Sequence, residues 1–307
     1  MALDISTITG YVNENSAELK AKMSAGETSA RNLTVQTGVK APTAINLIST
    51  DANFQDGSVA GWTPNGTTTL SNRILTPGDI KVQEAINPKD INKIWMSQLV
   101  SAGSYEDSIP FEQYYVQTKL DAINKNSEKA IWLGDTASGD ANLNKFDGFL
   151  KIIDDSGEAV DGNTSAATEI TKDNVVQLVD DMYAALPSDV LEATDLRLAV
   201  GYDVARLFVA KHKDLDMRNY DKIAGTFEFE VPGSNVRMFA TSGLNGTSRM
   251  ILGSASNMVI GVDLENDEEA FSIRYSEEEF VVKYHANFKK ATQVAYPSEI
   301  VEFTLSA

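Results

Sequence analysis

The chain has 307 residues, of which 42% are hydrophobic, enough for one large domain or two modest ones and too apolar for wholesale disorder. A net charge of −18, from 44 acidic and 26 basic side chains, excludes a broad electrostatic footprint on nucleic acid, because phosphate contacts need Lys and Arg. No cysteine is present, so disulfides, thiol nucleophiles and thiolate metal sites are excluded; no apolar run approaches the ~18–20 residues of a bilayer span, and the opening Met1-Ala-Leu-Asp-Ile-Ser-Thr-Ile has no signal-peptide character.

Residues 1–43 are polar and weakly patterned, with a short helix expected over Tyr11–Met23 and an extended connector at Ala41-Pro-Thr. This reads as an arm that gains stability only against a neighbouring surface. From 44 to 86 the signals are β. Ile45 and Leu47 alternate with Asn46, although Ile48 blurs the pattern, and Ile80-Lys-Val-Gln alternates again. Between them lies a glycine-rich stretch from Gly57 to Gly66, with Asn65-Gly66 as a hairpin turn signal. A long two-stranded projection is marginal in an isolated monomer, which points to an inter-subunit loop. Trp62 sits in that projection and reads either as an anchor on a neighbour or as packing on its own hairpin.

Asn87-Pro88 opens a helix with Ile91, Ile94, Trp95 and Leu99 on one face. A second helix is expected from Pro110, capped by Ser108, to Leu133, stopped by Gly134; its span of about 25 residues corresponds to on the order of 37 Å. That length suits a spine. An acidic glycine loop follows, closing with Lys145-Phe-Asp-Gly-Phe-Leu150, and a polar loop over Asp154–Thr168 marks a boundary. Thr171 caps an amphipathic helix carrying Val175, Leu178, Val179, Met182 and Leu186, ended by Pro187. Leu196–Val200 is a buried strand and Tyr202–Lys213 a helix. Short strands follow at Phe227–Val231, Val236–Ala240, Arg249–Leu252 and Met258–Val262. Phe271, Ile273 and Tyr275, then Phe280, Val282 and Tyr284, and finally Val301, Phe303 and Leu305 give the longest strand pattern. The sum is an α+β chain.

Chemistry-bearing motifs are missing. There is no phosphate-binding glycine loop, no nucleophile elbow, and neither His212 nor His285 has a metal-ligand spacing. His212, flanked by lysines at a helix end, is expected to be solvated. The Asp154–Asp161 segment lacks the alternating ligands of a calcium loop. No catalytic, cofactor-binding or metal residue is assigned, and the chain is not read as an enzyme. Acidic residues gather over Asp135–Asp161 and Asp263–Glu279, either as solvated loops or as a wall that repels packed DNA.

The spine pattern from Pro110 to Leu133, the Gly134-Asp135 turn and the Phe146-Asp-Gly segment resemble the major capsid proteins of tailed bacteriophages, the Hong Kong 97-type fold. The resemblance covers most of the chain by order of elements. It implies an N-terminal arm (1–43), an E-loop β-hairpin (44–86), a peripheral domain with the spine helix and a long β-sheet (87–148 and 263–307), and an α/β axial domain (149–262). In the family the Phe-Asp-Gly segment is a short strand, and the E-loop lies across the adjacent subunit. Interface residues would then include Trp62, Asn65, Gly66, Arg73 and Lys81. The implied function is self-assembly, as pentamers and hexamers, into an icosahedral or prolate phage head enclosing double-stranded DNA without sequence-specific binding. Implied partners are the chain itself, a portal and decoration proteins. The short arm implies a separate scaffolding protein or removal of a preceding segment. Some members cross-link subunits through a Lys–Asn bond; Lys81 and Lys89 lie near the loop base, but no partner asparagine or promoting glutamate is marked. An encapsulin-like nanocompartment shell is the alternative within the fold, and an acidic surface or adhesin protein the alternative outside it.

Overall fold

The computed structural model describes residues 27–58, 61–62, 64–86, 111–214, 227–263, 271–276, 278–279 and 281–306. The helices expected over Tyr11–Met23 and from Pro88, with the Ser108 cap and Pro110, lie outside the described residues. So do the side chains of Tyr114, Tyr115, Phe271, Ile273 and Tyr275.

The described chain begins with a short helix α1 (Thr28–Asn32), followed by strands β1 (Thr34–Thr37), β2 (Thr43–Thr50), β3 (Thr68–Leu75) and β4 (Gly78–Ile86). The spine helix α2 (Phe111–Leu133) leads through a loop to α3 (Phe149–Ser156) and the two-residue strand β5 (Val160–Asp161). Next come α4 (Val175–Ala184), α5 (Ser188–Leu191), β6 (Leu196–Gly201), α6 (Tyr202–Asp214), β7 (Glu228–Glu230) and β8 (Arg237–Thr241). Strands β9 (Met250–Ser254), β10 (Met258–Val262), β11 (Phe271–Ser276), β12 (Val281–Val294) and β13 (Val301–Phe303) complete it.

Three sheets result. A six-stranded sheet runs β5-β13-β9-β6-β8-β7, with β6 and β8 parallel and joined through α6. A five-stranded sheet is built on β12, which is long enough to carry β11 along Val281–Ala286, β4 along Val282–Lys290 and β10 along Lys290–Val294. β1 adds to it in parallel beside β10. Strands β2 and β3 form a hairpin of their own.

Side-chain period decides which face each layer buries. Leu196, Leu198 and Val200 of β6 face α4 and α6, whose Leu178, Met182, Val204 and Phe208 cover them. Ala199, Phe239 and Ile251 point to the opposite face, onto Ile131 and Trp132 of α2 and Phe149 and Ile153 of α3. That second core also takes Met258, Ile260 and Val294 from the β12 sheet, so it joins the two sheets.

The spine helix ends as expected. The Gly134 N–H closes onto Ala130 O at 2.9 Å, and the Gly148 N–H then binds Gly134 O at 2.8 Å. A Cβ on Gly148 would lie 2.6 Å from Gly134 N and 2.7 Å from Trp132 O, so only glycine admits this back-to-back approach. Asp147 Oδ1 accepts from the Thr136 N–H (2.9 Å) and hydroxyl (2.8 Å), fixing the acidic loop. Phe149–Leu150 is not a strand. Phe149, Leu150 and Ile153 recur on one helical face, and Gly157, at φ 60°, stops α3.

Four further expectations need correction. Within the stretch read as an arm, residues 27–37 are built into the body: Glu27, Ser29 and Ala30 are buried and β1 pairs with β10. The projection read over 44–86 closes at Leu75, and β4 leaves it for the long sheet. β10 belongs to the long sheet, whereas β13 belongs to the six-stranded one, beside β9 and β5. His212 is buried at 5% exposure, its ring edge-on to Phe208 with centroids 4.3 Å apart, because α6 turns that position inward. Burial holds its pKa below the ordinary value, with Asp180 opposing.

Candidate assembly surface

In the β2–β3 hairpin the register sets Ile48 opposite Leu70, Ala44 opposite Ile74, and Thr43 opposite Leu75. One face carries Leu47 and Leu75 and is buried; Leu75 packs with Val39, Val259 and Ala291. The other face carries Ile48, Leu70 and Ile74, exposed at 62%, 74% and 54%. Ile48, which blurs the alternation of Ile45 and Leu47, is thus the residue on the outward face. Both strands are fastened to the body: Gln293 Nε2 donates to Ile74 O at 2.7 Å and the Tyr296 hydroxyl to Ile48 O at 3.4 Å.

Beyond the paired strands, the 51–67 connection extends the ladder through Asp51 N–H to Thr67 O (2.9 Å) and Asn53 Nδ2 to Asn65 O (2.7 Å). Asn65-Gly66 is therefore not the tight turn its residues signal, and Gly66 has no positive φ. Glycine is needed there because a Cβ would sit 2.8 Å from Asp51 O. Phe54 and Trp62, at 102% and 91% exposure, stand out from this connection. Asp56 Oδ1 accepts from the Ser58 N–H and hydroxyl, which holds its pKa below the ordinary carboxylate value.

The residues singled out from the sequence divide accordingly. Trp62, Asn65 and Gly66 share the distal part of the hairpin. Arg73 lies near its base, 3.6 Å from Glu158. Lys81 lies on β4, opposite Asn287 of β12 and away from the hairpin. Phe54, Leu70 and Ile74 were not singled out; Leu70 and Ile74 lie on a strand whose other face supplies Leu75 to the core, and Phe54 lies in a connection whose described residues are all exposed.

A second feature is a groove of about 350 Å³ between α2 and β4. Ile80, Val82 and Ile123 line its apolar part, and Lys81, Lys119 and Lys145 its polar edge, where Lys119 also pairs with Glu84.

A third is a buried polar cluster that fastens the chain just before β1. Glu27 pairs with Lys290, both essentially without solvent contact. The Ser29 hydroxyl donates to Glu128 at 2.6 Å, the Ser29 N–H lies 3.2 Å from the same carboxylate, and Thr241 Oγ1 donates to it as well. Trp132 Nε1–H donates to Ser29 Oγ at 2.7 Å. Burial pushes Lys290 down to about 7, against the pull of the Glu27 carboxylate. Among the described residues no group of three or more His, Asp or Glu is set to hold a metal ion, and no helix is long and apolar enough to cross a membrane.

No protein-family model matches the sequence, and no curated protein matches it. Solved structures do. A chain of the satellite phage P4 procapsid superposes with a TM-score of 0.59 at 12% identity, over 94% of this chain and 90% of that one. The capsid of the empty GTA particle gives 0.57 at 13% identity, over 90% and 89%. The virus-like particle from Pyrococcus furiosus gives 0.50 at 10% identity, over 94% and 96%. The order of helices and sheets, the glycine clasp at the end of the spine helix and these whole-length superpositions lead to one conclusion: this chain has the phage major capsid fold.

Proposed function

We propose that this chain is a shell-forming capsid subunit that associates with copies of itself through its β2–β3 hairpin. The carrying observation is the hairpin's apolar exposure: Ile48, Leu70 and Ile74 on its outward face and Phe54 and Trp62 in the connection beyond are all more than half exposed in the single subunit. Covering each large side chain is worth roughly 1.5–3 kcal/mol, which a monomer forgoes and a closed assembly recovers. Trp62, with Asn65 and Gly66 shaping the segment around it, acts as the anchor; Arg73 and Lys81 sit where a neighbouring subunit meets the hairpin base and the long sheet.

In this reading the subunits form pentamers and hexamers of a phage head, assembled in the host cytoplasm, that encloses double-stranded DNA. A scaffolding protein, a portal and decoration proteins take part, and the acidic loops keep the genome from adhering to the wall. The similarity to a virus-like particle favours a second reading on the same assembly, a nanocompartment shell without DNA.

Negative-stain microscopy of the purified chain, with nucleic-acid content measured on any particles, tests both. Deleting Gly57–Thr68 is expected to leave a soluble subunit that closes no shells. Normal particles from that deletion would end the assignment of the hairpin as the assembly element, and nucleic acid inside wild-type particles separates virion from nanocompartment.

A further inference from the structure

The chain holds two Asn-Gly pairs, Asn65-Gly66 and Asn245-Gly246, both exposed. A glycine after asparagine leaves its backbone nitrogen unshielded, so that nitrogen can reach the preceding side-chain amide carbon. The structure treats the two pairs in opposite ways. At the second, Asn245 Oδ1 accepts from the Tyr202 N–H at 2.7 Å, and the Gly246 N–H donates to Asp203 Oδ2 at 3.0 Å. The electrophile is held, the nucleophile is capped, and the Asp203 carboxylate opposes negative charge on that nitrogen. At the first, no hydrogen bond among the described residues takes the Asn65 side chain or the Gly66 N–H. One contact does reach the pair: Asn53 Nδ2 donates to Asn65 O at 2.7 Å. That oxygen belongs to the same peptide group as the Gly66 nitrogen, and it shares the charge when the N–H loses its proton. Asn53 is thus aimed at the atom where negative charge develops.

We infer that Asn65-Gly66 is a self-modifying site, with Asn53 as the residue that promotes the reaction. Hydroxide removes the Gly66 N–H proton and the nitrogen attacks Asn65 Cγ. The new N–C bond expels the side-chain nitrogen, which takes a proton from water and leaves as ammonia. Water then opens the five-membered succinimide at either carbonyl, giving aspartate or isoaspartate, with no oxidation or reduction at any step. Both products add a carboxylate to a chain already at −18. Isoaspartate also routes the main chain through the side-chain methylene, lengthening it by one bond beside the Asn53–Asn65 and Asp51–Thr67 contacts. An unassembled subunit therefore ages at its hairpin. The consequence for assembly rests on the self-assembly reading, whereas the chemistry does not.

The test incubates the full chain, kept too dilute to assemble, in mildly alkaline buffer and then digests it with trypsin. Cleavage places Asn65 in the peptide Ala41–Arg73 and Asn245 in Met238–Arg249. The first peptide is expected to gain about 1 Da, localised to residue 65 by fragmentation, about tenfold faster than the second and at a rate that climbs with pH. In urea, where neither pair is held, the two rates should converge. Asn65→Gln should remove most of the gain. Asn53→Ala separates promotion from restraint: losing a donor to the developing charge should slow Asn65 by about three- to tenfold, whereas losing a mere tether would speed it. Equal native rates at the two sites, or an Asn65 that reacts only in urea, overturn the site. Asn53→Ala at or above the wild-type rate overturns the role of Asn53. Particle yield from aged wild type should fall with the modified fraction, while aged Asn65→Gln keeps its yield. Equal yields overturn the consequence for assembly, and an absence of particles from fresh protein overturns the assembly reading while the mass gain stands.

Discussion

Lys290 and Glu27 face each other with almost no solvent contact, separated by 263 residues of sequence. Removing one member of such a pair strands the other, at a cost of roughly 3–5 kcal/mol, whereas replacing both by apolar groups is often near neutral. Glu27→Gln is therefore expected to cost about 3 kcal/mol in urea unfolding at pH 6, and Glu27→Leu/Lys290→Met to recover most of it. Lys290 is lowered from 10.5 to about 7, so between those values the unfolded chain holds the extra proton and stability rises with pH. The carboxylate works against that lowering, so Glu27→Gln should show the steeper rise, with its deficit smaller at pH 9 than at pH 6. His212 acts at the other end of the scale. Its pKa is depressed by burial, so folded protein resists the proton that the unfolded chain takes up, and stability falls as pH drops below 6.5. His212→Leu should flatten the melting temperature between pH 7 and pH 5; an unchanged acid slope would place its cause elsewhere.

Elements with strong local signals could be read directly. The spine helix stops at the glycine that marks its end, and the β6–α6 unit and β10 lie where their apolar runs place them, because such signals belong to the segment alone. What could not be read was partnership. β4 and β13 carry good strand patterns, yet nothing in Ile80–Val82 or Val301–Phe303 states which sheet they join. Likewise Glu128 reads as one more acid on a helix until Ser29, 99 residues away, reaches it. In the candidate site, Trp62 was legible as a tryptophan with no core nearby, whereas Leu70 and Ile74 became visible only once the opposite face of the hairpin was seen to carry Leu47 and Leu75. Close backbone approaches are equally silent in sequence. Gly78 illustrates this at the turn into β4: a Cβ there would fall 2.0 Å from Lys145 O. Gly78→Ala is expected to cost about 1–3 kcal/mol by forcing the α2–α3 loop off the sheet. Gly139→Ala, in the same loop with nothing within 4 Å, should stay within ~0.5 kcal/mol, and equal losses at both would remove the steric explanation.

At the scale of the whole molecule, charge sets the conditions of association. Subunits of net charge −18 repel one another over the Debye length, which shrinks from about 10 Å at 0.1 M salt to about 3 Å at 1 M. In the proposed assembly the exposed side chains of Phe54, Trp62 and Leu70 act at touching distance and are not screened. Assembly followed by light scattering should therefore accelerate as salt rises from about 0.05 to 0.5 M. A rate that falls over this range would mean that long-range attraction, not apolar contact, drives the process.

The crossings between the two larger sheets carry a mechanical consequence. The chain passes between them at 254–258, from β9 to β10, and returns at 294–301, from β12 to β13. Asn257 lashes these passages together, donating to Tyr296 O at 2.7 Å, accepting from the Tyr296 N–H at 2.6 Å, and taking the Ala295 N–H on its own carbonyl at 3.0 Å. Tension applied to one sheet is thus delivered to the other through two parallel straps sharing a single knot. In a wall built from such units, a pull on either sheet of a subunit would be shared with the other through these passages, so Asn257→Ala is expected to lower the force at which the two sheets separate.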